Sequence, residues 1–585
     1  MPTDSEGRPL PGTPRPRRSE RWTRDSGADG FLQRSSLKVQ GLREKDYDRP
    51  VIGICTNTSD FNRCHMHFDG MIGAIRDTVL QSGGLPRVFN TMTMGADSTY
   101  PIGQSFMHRN LLAMEIEQTA LTYAIDALVF LGACDETLPA MLMAAASVDL
   151  PSIVLPGGPS FSGYWRGHEV GSGYDCYRAF DALGRGELTD ADIESLELSL
   201  ERSPGHCSTM GTASTMASLC EALGMAPAGS SVIPAVDSRR IMMARQVGEH
   251  VVRLLRDDVR PSQIMTLEAL ENAIRTLAAI DGSSNAVIHL LALAGRLGVD
   301  LPLERFDELS VETPVLANVR PSGDYYMNDF FNAGGVAALL KALRPLLHDD
   351  ALTVTGESLG DAVARAITED PRVIGTLVEP VAPPRGIAVL RGNIAPDGAI
   401  IRLGVASSDL LVHRGRAVVF ENKADLEDNL YDPAFDIRAD DVIVLRGEGP
   451  KGSVGMPDSG RIRVPDKLLR EGVTDMVRVT DSRMGGTVSG TAILHVAPES
   501  AAGGPLGLVR SGDTISLDVP NRRLSLEVDQ DELERRRTEA PPSFAVGPER
   551  GFARLYVDAV TQADTGCDFG FLRLASPALV YRGKS

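Results

Sequence analysis

The 585-residue chain has no run of about 18 uncharged apolar residues, the length a helix needs to cross a bilayer, so no membrane span is expected. Its first residues, "MPTDSEGRPLPGTPRPRRSERW", lack the apolar stretch of a secretory signal. They are rich in Pro, Arg and Ser and read as a disordered lead-in over 1–16, which points to a cytoplasmic protein. Basic residues are in deficit: 59 Lys and Arg face 78 Asp and Glu, for a net charge of −19. That balance opposes non-specific nucleic-acid binding, and no basic stripe with interleaved aromatics offsets it. GxxxxGK[ST] and a strand-linked GxGxxG are both missing, which removes the usual grounds for nucleotide binding. No spacing supports a Ser-His-Asp arrangement.

Cysteine is sparse and irregular. The seven lie at Cys55, Cys64, Cys134, Cys176, Cys207, Cys220 and Cys567, without a CxxC pair. An odd number at wide spacing argues against a disulfide framework, and the missing CxxC argues against a zinc ribbon or thioredoxin-type site.

What is present is ordinary globular composition, 43% hydrophobic and 23% charged, in a chain long enough for two cores. The first half alternates strand-like and helix-like stretches: "PVIGIC", "DGMIGAIRDTVLQSGG", "PRVFN", "NLLAMEIEQTALTYAID", "ALVFLGA", "LPAMLMAAASVD", "PSIVLPGG". This β-α repetition predicts a parallel sheet with helices on both faces. Residues 187–302 read as mainly helical, and "EPVAPPRG" reads as a linker. After it come short β runs between Gly, Pro, Asp and Asn turns, such as "GRAVVFEN", "DDVIVLRGEGP" and "DTISLDVPNRRLSLEV". The expected organisation is α/β: a parallel-sheet domain with helical additions over 17–380, then a β-rich, barrel-like domain over 384–585.

In parallel α/β sheets, ligands bind beyond the carboxyl ends of the strands. Cys64 lies in the loop after "PVIGICTNTSD", and Cys134 directly follows "ALVFLGA". Cys207, in "SPGHCSTMGTASTM", opens a helix, where the dipole favours a thiolate. All three can reach one crevice, whereas Cys55 and Cys220 sit inside apolar patterns. Each thiol alone reads as a small buried hydrophobe. Three at such positions suit an iron–sulfur cluster with one incompletely ligated iron, and spacing alone leaves the two readings open. Asp135 and Glu136, beside Cys134, are hard oxygen donors suited to Mg²⁺, and Asp97 and Asp458 could join them. Taken singly, each Asp also reads as a turn or cap residue. The Gly-rich loop "GGPSFSGYWRGHEVGSG" reads either as a surface loop or as a cover presenting Arg166 or His168 to a carboxylate, and His206 reads as structural or as a partner of the adjoining thiolate.

Many long segments resemble the dihydroxyacid and sugar-acid dehydratases of the IlvD/Edd family. They include "SDFNRCHMHF", "GACDETLPAMLMAAASVDLPSIVLPGGP", "SPGHCSTMGTASTMASLCEALGMAPAGSSVIPAVDSRR", "PSGDYYMNDFFNAGG", "GPKGSVGMPDSG" and "DMVRVTDSRMGGTVSGTAILHVAPESAAGGPL". The likeness runs from about 17 to 570 and is strongest to the aldonic-acid branch of arabinonate and xylonate dehydratases. It implies a [2Fe-2S] cluster on Cys64, Cys134 and Cys207, with Mg²⁺ nearby. It also implies loss of water from a 2,3-dihydroxy acid to give a 2-keto acid, in a homodimer or homotetramer.

The chain departs from that pattern at the centre of the site. Glu136 stands where the family has a carbamylated lysine, Gly95-Ala96 where it has Gly-Glu, Asp458 where it has Glu, and Gly485 where it has the serine that takes the C2 proton. A metal site rebuilt on Asp135, Glu136, Asp97 and Asp458 is one expectation. The proton would then pass to a neighbouring hydroxyl, Ser482 or Thr487, with Ser489 also near. The alternative is a divergent paralogue with another lyase or isomerase reaction, or a non-catalytic partner protein.

Overall fold

The computed structural model describes residues 17–95, 105–539 and 547–574. The lead-in over 1–16 and Asp97 lie outside the described residues. Strands β1 (Val51–Thr56), β2 (Leu85–Asn90), β3 (Ala127–Gly132) and β4 (Ser152–Pro156) form a parallel sheet in the order β2-β1-β3-β4. β3 and β4 are buried along their whole length. Such strands need apolar cover on both faces, which is why they are continuous runs of Val, Leu, Ile and Phe rather than alternating ones. Helix Phe68–Gln81 packs on Ser238–Arg256, and helix Ser105–Thr122 on Thr137–Val148. Gly132 ends β3 where a Cβ would come 2.5 Å from Met141 Sδ, so glycine lets the next helix close onto the strand. A small hairpin, β5 (Gly163–Trp165) with β6 (His168–Val170), follows β4.

The C-terminal half forms a closed eight-stranded barrel in the order β10-β11-β12-β8-β7-β14-β13-β9. Its strands are β7 (Ile387–Gly392), β8 (Ala395–Arg402), β9 (Val412–Phe420), β10 (Val442–Leu445), β11 (Val477–Thr480), β12 (Ala492–Ala497), β13 (Thr514–Asp518) and β14 (Arg523–Leu526). Closure leaves no free sheet edge. The expected α/β sheet joined to a β-barrel is therefore the observed architecture. β9, β10, β11 and β12 run parallel, so the loops after β10 and β11 leave from the same end.

Those barrel loops are anchored to the first layer. Arg402 Nε lies 3.2 Å from Asp281 Oδ1, and its Nη1 donates to Gly486 O at 2.7 Å, all within a buried seam. A Cβ at Gly486 would sit 2.9 Å from Thr212 N, so the loop after β11 lies directly on the start of helix Thr212–Ala222. Among the described residues no helix is long and apolar enough to cross a membrane.

Candidate active site

Loops from the carboxyl ends of parallel strands in both layers meet around one cavity of about 260 Å³. β1 and β3 are adjacent, so the loops carrying Cys64 and Cys134 leave side by side. Asn62 fixes the first: its Oδ1 accepts from Cys64 N at 2.9 Å, and its Nδ2 donates to Met94 O at 2.7 Å. The His65 ring bridges the two loops, Nε2 to Ala133 O at 2.9 Å and Nδ1 to Thr93 Oγ1 at 2.7 Å. Burial pushes that imidazole down to about 4, so it stays neutral at physiological pH. The third loop is held by Arg63, whose Nη1 pairs with Glu201 at 2.8 Å and donates to Gly205 O at 3.1 Å, and whose Nη2 lies 3.8 Å from Cys207 Sγ.

Cys64, Cys134 and Cys207 all line the cavity. Cys134 sits in the left-handed region at φ 73°, a conformation costly for a non-glycine residue and found where surrounding structure enforces it. The neighbouring thiol of Cys64, burial and the charges of Asp135 and Glu136 push its thiol well above the usual range. A Cβ at Gly95 would lie 3.0 Å from Cys134 Sγ and 2.6 Å from Asn62 Nδ2, so glycine keeps space open beside the sulfur.

The carboxylates separate. Asp135 and Asp458 line the cavity. Glu136, the next residue along, is buried and does not line it: its Oε1 accepts from Ser105 Oγ at 2.7 Å and lies 3.4 Å from Arg483 Nη2. Burial raises its carboxyl above the ordinary range, against the pull of Arg483. Arg483 is itself fully buried and ties the wall together. Its Nη1 pairs with Asp458 Oδ1 at 2.7 Å, its Nε donates to Met456 O at 2.6 Å, its Nη2 reaches Ser105 Oγ, and the guanidinium lies 4.4 Å from the Phe106 ring centroid. Asp458 Oδ2 faces Gly485, 3.6 Å from where a Cβ there would stand.

The hydroxyl candidates also part. Ser482 is buried outside the lining, donating to Pro457 O at 2.7 Å. Thr487 lines the cavity together with Gly485, and its side chain packs against Gly173 and Gly211, where added Cβ atoms would come within 2.6 and 2.8 Å of it. Ser489 is exposed. Several further lining residues carried no individual expectation from the sequence, among them Arg63, Cys176, Tyr177 and Glu201. Cys176, in the helix after the Gly-rich loop, is a fourth thiol on the wall, and its position beside "GSG" was the available signal. His206 lines the cavity with a ring held neutral, pushed down to about 3 by burial, and its Nδ1 lies 3.2 Å from Cys207 O. Arg166 stacks on Trp165 at 4.5 Å and pairs with Asp192, while His168 is exposed, so the β5–β6 hairpin presents neither to this cavity.

Among the described residues no three His, Cys, Asp or Glu side chains converge as a site for a single metal ion. Three thiols lining one cavity are instead a soft donor set for a group larger than one ion. Asp135 and Asp458 suit a hard cation of the kind that binds through one or two carboxylates and completes its shell with substrate and water.

Residues 49–362 match the dihydroxy-acid/6-phosphogluconate dehydratase N-terminal family model, and 372–567 match its C-terminal counterpart. The chain is 45% identical to an L-arabinonate dehydratase of Rhizobium leguminosarum bv. trifolii, over 96% of this chain and 97% of the relative. It is 45% identical to an L-arabonate dehydratase of Azospirillum brasilense, over 95% and 96%. It is 41% identical to a 6-deoxy-6-sulfo-D-gluconate dehydratase of Pseudomonas putida, again over 95% and 96%.

Proposed function

The chain belongs to the dihydroxy-acid/6-phosphogluconate dehydratase family, and from that premise we propose that it removes water from a 2,3-dihydroxy sugar acid to give the 2-keto acid, in the cavity where Cys64, Cys134 and Cys207 meet. The observation that carries this reading is the convergence of three thiols from three loops with two carboxylates, from both halves of the chain, on one cavity. The half over 17–380 supplies the thiols and Asp135, and the barrel half over 384–585 supplies Asp458 and Thr487. The sulfurs fit a [2Fe-2S] cluster, and Asp135 with Asp458 fit Mg²⁺. When bound, these groups would supply Lewis acidity toward the substrate hydroxyls.

The remaining roles fall to the chain's own groups. Thr487 Oγ1 takes the C2 proton and passes its own hydroxyl proton to the departing C3 oxygen. The C2–H and C3–O bonds break, water leaves, and the enol becomes the 2-keto acid with Thr487 restored. Arg483 holds Asp458 Oδ1 so that Oδ2 stays toward the cavity, and Glu136 acts on the site through Arg483 rather than as a ligand. His206, neutral beside Cys207, adds no positive charge to the pocket. The protein is proposed to act in the cytoplasm as a homodimer or homotetramer.

Asp135→Asn and Cys134→Ser are each expected to abolish 2-keto-acid formation in protein that keeps the wild-type circular dichroism. Turnover surviving in either variant contradicts the assignment.

A further inference from the structure

A second cavity of about 420 Å³ adjoins the first, the two sharing Tyr177 and Thr487 in their walls. Its lining is cationic: Arg178, Arg461, Arg463 and Arg478 face it, with only Asp181 and Asp475 as acids. Both acids are already engaged. Asp475 pairs with Arg478 at 2.6 Å, and Asp181 with Arg463 at 3.1 Å. Arg178 and Arg461 make no ion pair among the described residues. Each lies over a tyrosine of helix Tyr174–Arg185 instead, Arg461 at 3.3 Å from the Tyr177 centroid and Arg178 at 5.3 Å from that of Tyr174. Arg320, which also makes no ion pair among the described residues, approaches Tyr174 from a second side, its Nη1 3.1 Å from the hydroxyl that Arg178 Nη1 meets at 3.0 Å.

In a chain where acids outnumber bases by 78 to 59, guanidiniums find carboxylates readily. Three left unneutralised around one helix face repel one another, and stacking on a ring leaves the edge of the guanidinium free to donate. A bound anion relieves both conditions with paired, charge-assisted hydrogen bonds. The position decides which anion. Arg461 lies three residues after Asp458 on the same loop, and Tyr177, on which it stacks, is part of the wall of the thiol-lined cavity. A sugar acid reacting at C2 and C3 keeps its own carboxylate beside those carbons, so the larger cavity receives the far end of the molecule.

We propose that Arg178 and Arg461, with Arg320 behind them, form a subsite for a terminal anionic group, so that the preferred substrate is a dianionic sugar acid carrying a carboxylate, phosphate or sulfonate at the end remote from C1. The proposal rests on the dehydratase reading of the smaller cavity. Its test compares, on anaerobically purified holoprotein, a six-carbon aldaric acid and a 6-phosphorylated aldonic acid with the plain six-carbon aldonic acid. The wild type should favour one of the dianions by about tenfold or more in kcat/KM, the worth of one charge-assisted hydrogen bond. Whichever dianion is favoured identifies the terminal group. Arg461→Gln and Arg178→Gln should each erase most of that preference, mainly through KM. Equal kcat/KM on all three acids, or a preference that both variants keep, overturns the proposal. Calorimetric titration with the same acids separates this outcome from failure of the chemistry. Tighter binding of a dianion by the wild type than by Arg461→Gln supports the subsite even without loss of water, and equal binding refutes it. Inorganic phosphate, titrated alone, distinguishes a free-anion site: if it binds at the arginines without competing with the dianionic acid, the terminal-group assignment is wrong.

Discussion

Thr487→Val replaces one hydroxyl by a methyl and keeps the shape of the side chain, including the Cγ2 contact beside Gly211. The residue is half-buried, so the change should alter stability by no more than about 0.5 kcal/mol. Its effect on catalysis should be far larger. Loss of a positioned proton-transfer group costs ~10²–10⁴ in kcat, or about 2.7–5.5 kcal/mol of transition-state stabilisation. Thr487→Ser keeps the hydroxyl and should stay within about tenfold of wild type. The neighbouring glycine offers a further check. A Cβ at residue 485 meets nothing nearer than Asp458 Oδ2 at 3.6 Å, Asp458 Cγ at 3.9 Å and Val488 Cγ2 at 4.0 Å, all ordinary contacts, and the backbone there is not left-handed. Gly485→Ser is therefore accommodated and places a hydroxyl on the same wall, so Gly485→Ser added to Thr487→Val should recover part of the lost rate. The assay is initial-rate formation of 2-keto acid by anaerobically purified protein, with thermal midpoints measured in parallel. Wild-type kcat in a stably folded Thr487→Val variant would refute the assignment of Thr487.

Cys207→Ser should lose most of the iron and acid-labile sulfide found in the wild type, whereas Cys176→Ser should retain both, since three thiols suffice; metal and sulfide analysis decides. Arg483→Met removes the only cation paired with the buried Glu136 among the described residues and should cost ~3–5 kcal/mol. Adding Glu136→Gln should return a good part of that loss, read as denaturant midpoints. Glu499 is buried, and burial with the nearby Asp481 pushes its carboxyl up to about 7 from an ordinary 4.5. Between those pH values the folded protein keeps a proton that the unfolded chain has released, so this group's contribution to stability falls as pH rises and is spent above pH 7. The full change is about 3 kcal/mol, and a thermal midpoint profile of wild type against Glu499→Gln should show the slope flattened in the variant.

The parallel sheet was legible because "ALVFLGA" and "PSIVLP" are uninterrupted apolar runs set between helical patterns, and the barrel half because its strands are short and turn-bounded. The position of Cys64 and Cys134 followed from strand ends alone. The closed strand order, with β8 beside β12 and β9 beside β13, depends on pairings across more than ninety residues that no local pattern encodes. Glu136 is the instructive difference. Read along the chain, Asp135 and Glu136 form one acidic pair. In the fold Asp135 lines the cavity, whereas the buried partner of Glu136, Arg483, lies 347 positions away. Ser482 was equally opaque, because the carbonyl it donates to belongs to Pro457, on a separate loop. The arginines of the larger cavity drew no notice in the sequence because their significance lies in which carboxylates are already taken, and only the folded chain decides that.

The most direct test of the central claim is 2-keto-acid formation by anaerobically purified protein supplied with Mg²⁺ and a panel of aldonic, aldaric and branched 2,3-dihydroxy acids, with iron and sulfide measured on the same sample. The account predicts that protein containing iron and sulfide forms a 2-keto acid from at least one sugar acid. Protein that carries the cluster and turns over none of them would contradict it.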